Sequence, residues 1–456
     1  MKRSRQISRR KFLRSVPLVA VGSGFAIGGA LTASSGYDKA SKSSTAHPWW
    51  VKEIDKPKLW IKEGAYHRYN SRDQIFSSFR RVVGEERARE LFMKDQERII
   101  AWIKQNKAGF SLRDRALANA AWTVNRAGRV NKGLLSWNKI NAITPEEMGV
   151  PHFKASPQEA AQTIKAAARL FGACLAGICH LDRRHVYSWE YGKQIAFEEV
   201  EQPYEEENKR VIPNKVKYAI ALAVQMSEET LKRAPAATVS GTTAMGYSLC
   251  TMVTSTLAEF IRGLGYIAIP SVNDTALSIP LAMEAGLGEL GRHNRLITPE
   301  FGPCVRLCKV FTDLPMALDK PIDFGVAEFC RTCKKCAQAC PSGALSLEDE
   351  PNFEVKGIWN NPGHKAWFED ASKCFTYWNE ITTGCSICFS VCPYTKKDDA
   401  WVHAAVKAAA AKTSLLNRFF VTMDTAFGYG RQKDFLRWWK LNLPSFGFDT
   451  SQGLRR

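Results

Sequence analysis

Eight cysteines between residues 330 and 392 constrain this chain more than any other feature. Cys330-x2-Cys333-x2-Cys336-x3-Cys340-Pro341 has the spacing of a bacterial ferredoxin run, in which a tight loop wraps three thiolates around one iron–sulfur cubane and the fourth ligates the neighbouring one. A second run follows as Cys374, then Cys385-x2-Cys388-x3-Cys392-Pro393, its first ligand displaced by an insertion. With fourth ligands crossed, one [4Fe–4S] cluster takes Cys330, Cys333, Cys336 and Cys392, and the other takes Cys340, Cys374, Cys385 and Cys388. Zinc accepts Cys-x2-Cys pairs, but this doubled pattern suits it poorly. The insertion also allows a [3Fe–4S] second cluster with Cys374 as a free thiol. Cys174, Cys179, Cys250, Cys304 and Cys308 lie outside the runs and read as buried packing residues.

Paired clusters form an electron wire, and a wire needs terminals. Roughly 330 residues precede the first run, far more than a ferredoxin needs. That mass predicts a second cofactor and a substrate pocket.

Ser8-Arg9-Arg10-Lys11-Phe12-Leu13-Arg14 matches a twin-arginine export signal. The weakly apolar stretch after it, Ser15 to Ala33, contains Pro17 and four glycines and makes a poor membrane span. Cleavage is expected between residues 30 and 46, with 34–46 as a linker. No later segment is apolar for long enough to span a bilayer, so the mature protein is expected to be peripheral, on the outer face of the cytoplasmic membrane. The net charge of +19 invites a nucleic-acid reading, but Lys2, Arg3, Arg5, Arg9, Arg10, Lys11 and Arg14 all belong to the leader. No basic run interleaved with aromatics marks a nucleic-acid groove, and no nucleic-acid partner is expected.

Along the body, 47–75 is rich in aromatics and reads as an extended, wrapping segment. Apolar residues at three- and four-residue spacing predict helices near 85–106, 112–127, 157–178 and 214–232. The acidic run from Glu198 to Glu207 reads as a solvated loop. From 236 to 313, helix, strand, helix and strand follow at Ala244–Leu264, Tyr266–Pro270, Asn273–Ala285 and Val305–Thr312, the signature of an α/β core. Helices at 400–412 and 415–440 close the chain.

Particular stretches resemble reductive dehalogenases: Ser240-Gly241-Thr242-Thr243-Ala244-Met245-Gly246-Tyr247, Ile269-Pro270-Ser271-Val272-Asn273-Asp274-Thr275, Gly288-Glu289-Leu290-Gly291-Arg292, and Ile297 through Val310. The twin-arginine leader, His47-Pro48-Trp49-Trp50 and the altered second cluster run extend the likeness over most of the chain. The resemblance implies an α+β protein, a nitroreductase-like α/β domain holding a base-off corrinoid fused to a ferredoxin-like domain with two [4Fe–4S] clusters. The expected boundaries are 1–33 for the signal, 34–155 for an N-terminal wrapping region, 156–320 for the corrinoid and substrate domain, 321–398 for the cluster domain and 399–456 for a helical extension. The Asp-x-His-x-x-Gly pattern that supplies a lower histidine ligand in other corrinoid proteins is missing; Asp182-Arg183-Arg184-His185 has the wrong spacing.

The resemblance also implies roles. Tyr247 is the expected proton donor, Arg306 its cationic partner and Asn273 a pocket residue, with Lys309 and Arg295 as competitors for the cation. Thr243 and Trp378 are expected corrinoid contacts, and Trp49 and Trp50 candidate pocket walls. Replacing halogen by hydrogen consumes two electrons and one proton. A phenol keeps its proton at neutral pH and can give it to developing carbanionic charge. A permanently charged guanidinium stabilises what remains. A small organohalide substrate, a small integral membrane anchor and a membrane-linked electron donor are the expected partners. Two other classes fit the clusters: a reductase resembling epoxyqueuosine reductase, which the export leader disfavours, and an electron-transfer subunit without a catalytic cofactor.

Overall fold

The computed structural model describes residues 47–128, 133–396 and 401–442. The export signal and its linker lie outside these residues. At the centre is a four-stranded antiparallel sheet built from Leu175–His180 (β1), Tyr218–Gln225 (β2), Ala268–Ser271 (β3) and Val305–Thr312 (β4), in the order β1-β2-β4-β3. Strand β4 pairs along its whole length with β2, Arg306 opposite Val224 and Thr312 opposite Tyr218.

Both faces of this sheet are buried. Ile178, Ile220, Leu222, Val224, Cys308 and Val310 pack against Leu249, Val253, Leu257 and Ile261 of the long helix Ala237–Gly263, and against Ile164 of the helix Pro157–Leu170. The alternate residues Cys179, Ala219, Ala221, Ala223, Ile269 and Phe311 meet Leu281, Leu287 and Leu296 on the other side. Burying each such aliphatic side chain contributes roughly 1.5–3 kcal/mol, and two buried faces make the sheet a rigid platform. Cys179, Cys250, Cys304 and Cys308 are buried and Cys174 is half-buried, none of them in a disulfide.

Several expected elements change type. The helix expected over 157–178 ends at Leu170, and its last part is β1. The helix expected over 214–232 is mostly β2, followed by a single helical turn at Glu228–Leu231. A strand covered on both faces is apolar throughout, so its sequence carries no two-residue period to separate it from a helix. The 112–127 helix breaks at Trp122 into Leu112–Ala121 and Thr123–Ala127. The long helix begins at Ala237, so Gly241, Thr242 and Thr243 are helical and not a loop. The helix expected from Asn273 is only Ser278–Glu284, which leaves Asn273 in a bend. Part of the acidic run forms strand, at Lys193–Glu198 and Tyr204–Glu205, in a second four-stranded sheet. The expected strand–helix alternation over 236–313 is present, but the central pairing is antiparallel, which makes the class α+β.

The segment from residue 47 runs across two bodies. Lys52–Glu53 pairs with Ile322–Asp323, and Trp50 packs on Phe324 at 5.9 Å among the residues around Cys330 and Cys333. Tyr66 and Tyr69 are buried further along. Among the described residues, no helix is long and apolar enough to cross a membrane.

Candidate active site and cluster chambers

The two cysteine runs fold alike. Lys334, just after Cys333, and Ser386, just after Cys385, both adopt the left-handed conformation (φ 50° and 57°). Each precedes a short helix, Lys335–Gln338 or Ile387–Ser390. This turn brings the two cysteines of each Cys-x2-Cys step to one chamber. A small chamber is lined by Cys330, Cys333, Cys336 and Cys392, with Arg292, His293 and Tyr394. Cys340, Cys374, Cys385 and Cys388 line a different and larger cavity of about 630 Å³. Burial pushes the Cys385 thiol up to about 11 and those of Cys330 and Cys388 up to about 12. Soft thiolate sets of four, withdrawn from water and unpaired by disulfides, suit iron–sulfur cubanes. Arg292, fully buried, braces the small chamber by donating to the Cys330 carbonyl at 3.0 and 2.9 Å and to the Ser346 and Glu348 carbonyls, with Trp367 against its guanidinium at 4.5 Å.

The large cavity lies between the cluster region and the end of the central sheet. Its other wall contains Thr243, Tyr247, Asn273 and Arg306, while Trp378 lines the cavity from the helix that carries Cys374. Tyr247 projects from the long helix and stacks on Trp122 (centroids 5.3 Å apart, planes at 16°). The Asn273 amide donates to the Tyr247 hydroxyl at 2.8 Å. Arg306 on β4 places its guanidinium 5.0 Å from the centre of the Tyr247 ring and donates to Thr243 Oγ1 at 3.3 Å. A cation over an aromatic face is attractive, more so when withdrawn from water. Gly246 makes this approach possible, since a Cβ there would lie 2.7 Å from Arg306 Cγ.

The bend carrying Asn273 is held from below. Lys309 is buried and donates to the Val272 carbonyl at 2.8 Å and to Ser278 Oγ at 3.1 Å. Asp274 accepts from the Val272 amide at 2.7 Å, and Glu190 accepts from the Thr275 amide at 2.8 Å and from Arg210 at 2.6 Å. Burial lowers the Lys309 ammonium to about 8. Lys309 therefore supports the bend, and it does not line the cavity. Arg295 does line it, but pairs with Glu369 at 2.6 Å, which holds it charged. Of the three expected cations, Arg306 alone stands against Tyr247. Trp49 is exposed and Trp50 packs in the core near the small chamber, so neither lines the cavity.

Sequence reasoning missed Trp122, which stacks on the tyrosine, and Phe389, which lies between Arg306 and His293. It also missed His293, buried at 2% exposure on the wall of both chambers, whose imidazole burial pushes down to about 3. Nothing in their spacing marks these residues. Asp182, His185 and Glu284 converge within 4.8 Å, as metal ligands would. However, Tyr66 and Glu284 each lie 2.9 Å from a His185 ring nitrogen, and Arg184 holds Asp182, so the group is a hydrogen-bonded knot away from the cavity.

Among the described residues, four buried polar atoms on the large cavity wall have no hydrogen-bond partner on another residue: Arg306 Nε, Trp378 Nε1 and both ring nitrogens of His293. Burying such groups unpaired is costly. A large, flat molecule with a rim of amides offers partners to groups of this kind, and a corrinoid is such a molecule.

The chain matches the family model described as a reductive dehalogenase subunit over residues 46–192 and 191–316, and a 4Fe-4S double cluster binding domain over 329–395. It is 37% identical to a tetrachloroethene reductive dehalogenase of Sulfurospirillum multivorans over 373 residues, 76% of this chain and 74% of that one. A trichloroethene reductive dehalogenase of Dehalococcoides mccartyi is 26% identical across 97% of this chain and 98% of its own length. Among solved structures, a catabolic reductive dehalogenase superposes with a TM-score of 0.63 at 22% identity, covering 85% of this chain and 50% of the other. This chain belongs to the reductive dehalogenase family and carries a double iron–sulfur cluster domain.

Proposed function

We propose that this protein replaces the halogen of a small organohalide by hydrogen, using a base-off corrinoid seated in the large cavity and electrons delivered through two [4Fe–4S] clusters. The observation that carries this reading is one continuous cavity whose walls hold Tyr247, Asn273 and Arg306 on one side and Cys340, Cys374, Cys385 and Cys388 on the other. A solved relative of this fold is described as carrying out B12-dependent dehalogenation. Reduced cobalt, when bound, would supply the electron pair that breaks the carbon–halogen bond.

The chain's own residues do the rest. Tyr247 holds a proton at the cavity face. The Asn273 amide occupies an acceptor position of the phenol oxygen, which leaves the hydroxyl hydrogen free to be given to substrate carbon. Once that proton is gone, the same amide and the Arg306 guanidinium stabilise the phenolate. The overall change takes an organohalide, two electrons and one proton to the reduced product and halide.

The cysteines facing the cavity make the cluster of Cys340, Cys374, Cys385 and Cys388 the inner station, and the small chamber then holds the outer one. Beside that outer chamber lies an apolar cavity of about 410 Å³, sharing Phe329, Pro393 and Tyr394 with it, on the side from which electrons would enter. The full reading adds twin-arginine export, a peripheral position on the outer face of the cytoplasmic membrane, a small integral anchor and a membrane-linked donor. It also treats the central sheet and its long helix as a nitroreductase-like domain. Metal analysis with a viologen-driven assay against chlorinated and brominated compounds tests the core of this. About eight irons and one cobalt per chain with halide release is the expected result. Iron without cobalt, after corrinoid supplementation, would overturn it.

A further inference from the structure

Among the described residues, His293 alone lines both chambers. It follows Arg292, whose guanidinium is fixed by the Cys330, Ser346 and Glu348 carbonyls, so the backbone there has little freedom. Phe389 sits edge-on to its ring at 5.7 Å, and Phe389 follows Cys388. The imidazole is buried, yet neither Nδ1 nor Nε2 has a hydrogen-bond partner on another residue. Its ring lines the small chamber with Cys330, Cys333, Cys336 and Cys392, and also the large cavity beside Arg306. An uncharged imidazole has one N–H donor and one acceptor nitrogen. Leaving both buried without such partners is costly. His185, by contrast, has Tyr66 and Glu284 at its two ring nitrogens.

We propose that His293 is a positioning residue bridging the two cofactor chambers, its N–H donating to a sulfur of the outer cluster and its other nitrogen accepting from an amide of the corrinoid. The proposal rests on the cofactor reading above. It adds a residue that is neither a metal ligand nor part of the Tyr247 group. A hydrogen bond to cluster sulfur favours the more negative, reduced state, so it raises that cluster's reduction potential. An acceptor facing the corrinoid rim favours binding of that molecule in one orientation.

The test is an EPR-monitored redox titration of the full, reconstituted protein as wild type, His293→Phe and His293→Gln, with iron and cobalt counted in each. Iron and cobalt in the wild type keep the parent reading intact before the variants are compared. In His293→Phe, the cluster held by Cys330, Cys333, Cys336 and Cys392 should become about tenfold harder to reduce, or about 59 mV lower for a one-electron couple. Its corrinoid should also dissociate faster. His293→Gln, which keeps a donor and an acceptor, should restore most of the potential. Unchanged potentials in His293→Phe with wild-type iron would overturn the proposal. So would a shift confined to the inner cluster, or a His293→Gln protein that behaves like His293→Phe. If His293→Phe fails to retain iron, the Gln variant alone decides: near-wild-type potential and cobalt retention support the bridge, and loss of either removes it.

Discussion

The amide of Asn273 donates to the phenol oxygen of Tyr247 at 2.8 Å, although the two residues come from different elements and lie 26 positions apart. The direction of this bond matters. It stabilises the oxygen more once the proton has left, so it favours proton release. Asn273→Ala removes one hydrogen bond to a developing charge and should lower dehalogenation about tenfold to a hundredfold with metal content unchanged. Steady-state rates beside an iron and cobalt count would check this, and an unimpaired rate would place Asn273 outside the proton-transfer group.

Tyr247→Phe keeps the ring that stacks on Trp122 and lies under Arg306, and removes only the hydroxyl. Cofactor content should persist while turnover falls roughly 10²–10⁴-fold, the usual contribution of a positioned general acid. Wild-type turnover would mean that the proton comes from elsewhere.

Gly246 touches nothing in the cavity directly, yet it sets the place of Arg306. The Cβ of Gly246→Ala would lie 2.7 Å from Arg306 Cγ, near the backbone end of a side chain fixed on β4. The guanidinium must shift away from the Tyr247 ring. The variant should fold with a stability loss of about 1–3 kcal/mol and lose about tenfold in rate, because the phenolate loses its cation. Thermal denaturation and kinetics on one preparation separate the two effects.

Cys374 is the displaced ligand of the second run, and it lines the large cavity with Cys340, Cys385 and Cys388. Cys374→Ser should therefore reduce iron below the roughly eight atoms of two cubanes and alter the EPR spectrum of one cluster only. Full iron with two unaltered cluster spectra would make Cys374 a free thiol.

Glu190 gives the bend under Asn273 a pH dependence. Burial, with Asp274 adding to it, raises its carboxyl to about 8 against the opposing pull of Arg210. The folded state thus binds a proton that the unfolded chain releases near the ordinary carboxylate range. Its contribution to stability is full below that range and is lost as pH rises through about 8. Glu190→Gln should flatten the urea midpoint between pH 5 and 8 relative to wild type, and parallel curves would assign the dependence to other groups.

Much of the site was readable because its information is local. The Cys-x2-Cys steps carry the left-handed turns at Lys334 and Ser386 in their own spacing, and the expected strand Val305–Thr312 has the bounds of the observed one. The family resemblance picked out Tyr247, Asn273 and Arg306, and the fold gathers all three on one wall. The two expected helices that contain strands, 157–178 and 214–232, share a cause. Tyr218–Gln225 is covered on both faces, so its apolar run has no period, and only its pairing with β1 and β4 makes it a strand.

The sequence by itself determined the cysteine grouping, because spacing along a chain fixes which side chains a short loop can bring together, while the candidate acid Tyr247 and its cation Arg306 came from the family resemblance. Tertiary packing decided the rest: that Lys309 supports the Asn273 bend from beneath, that Trp122 stacks on Tyr247, and that His293 sits unpaired between two chambers. Those relations join residues tens to more than a hundred positions apart. Burial and sheet register bring them into contact, and no local pattern encodes either.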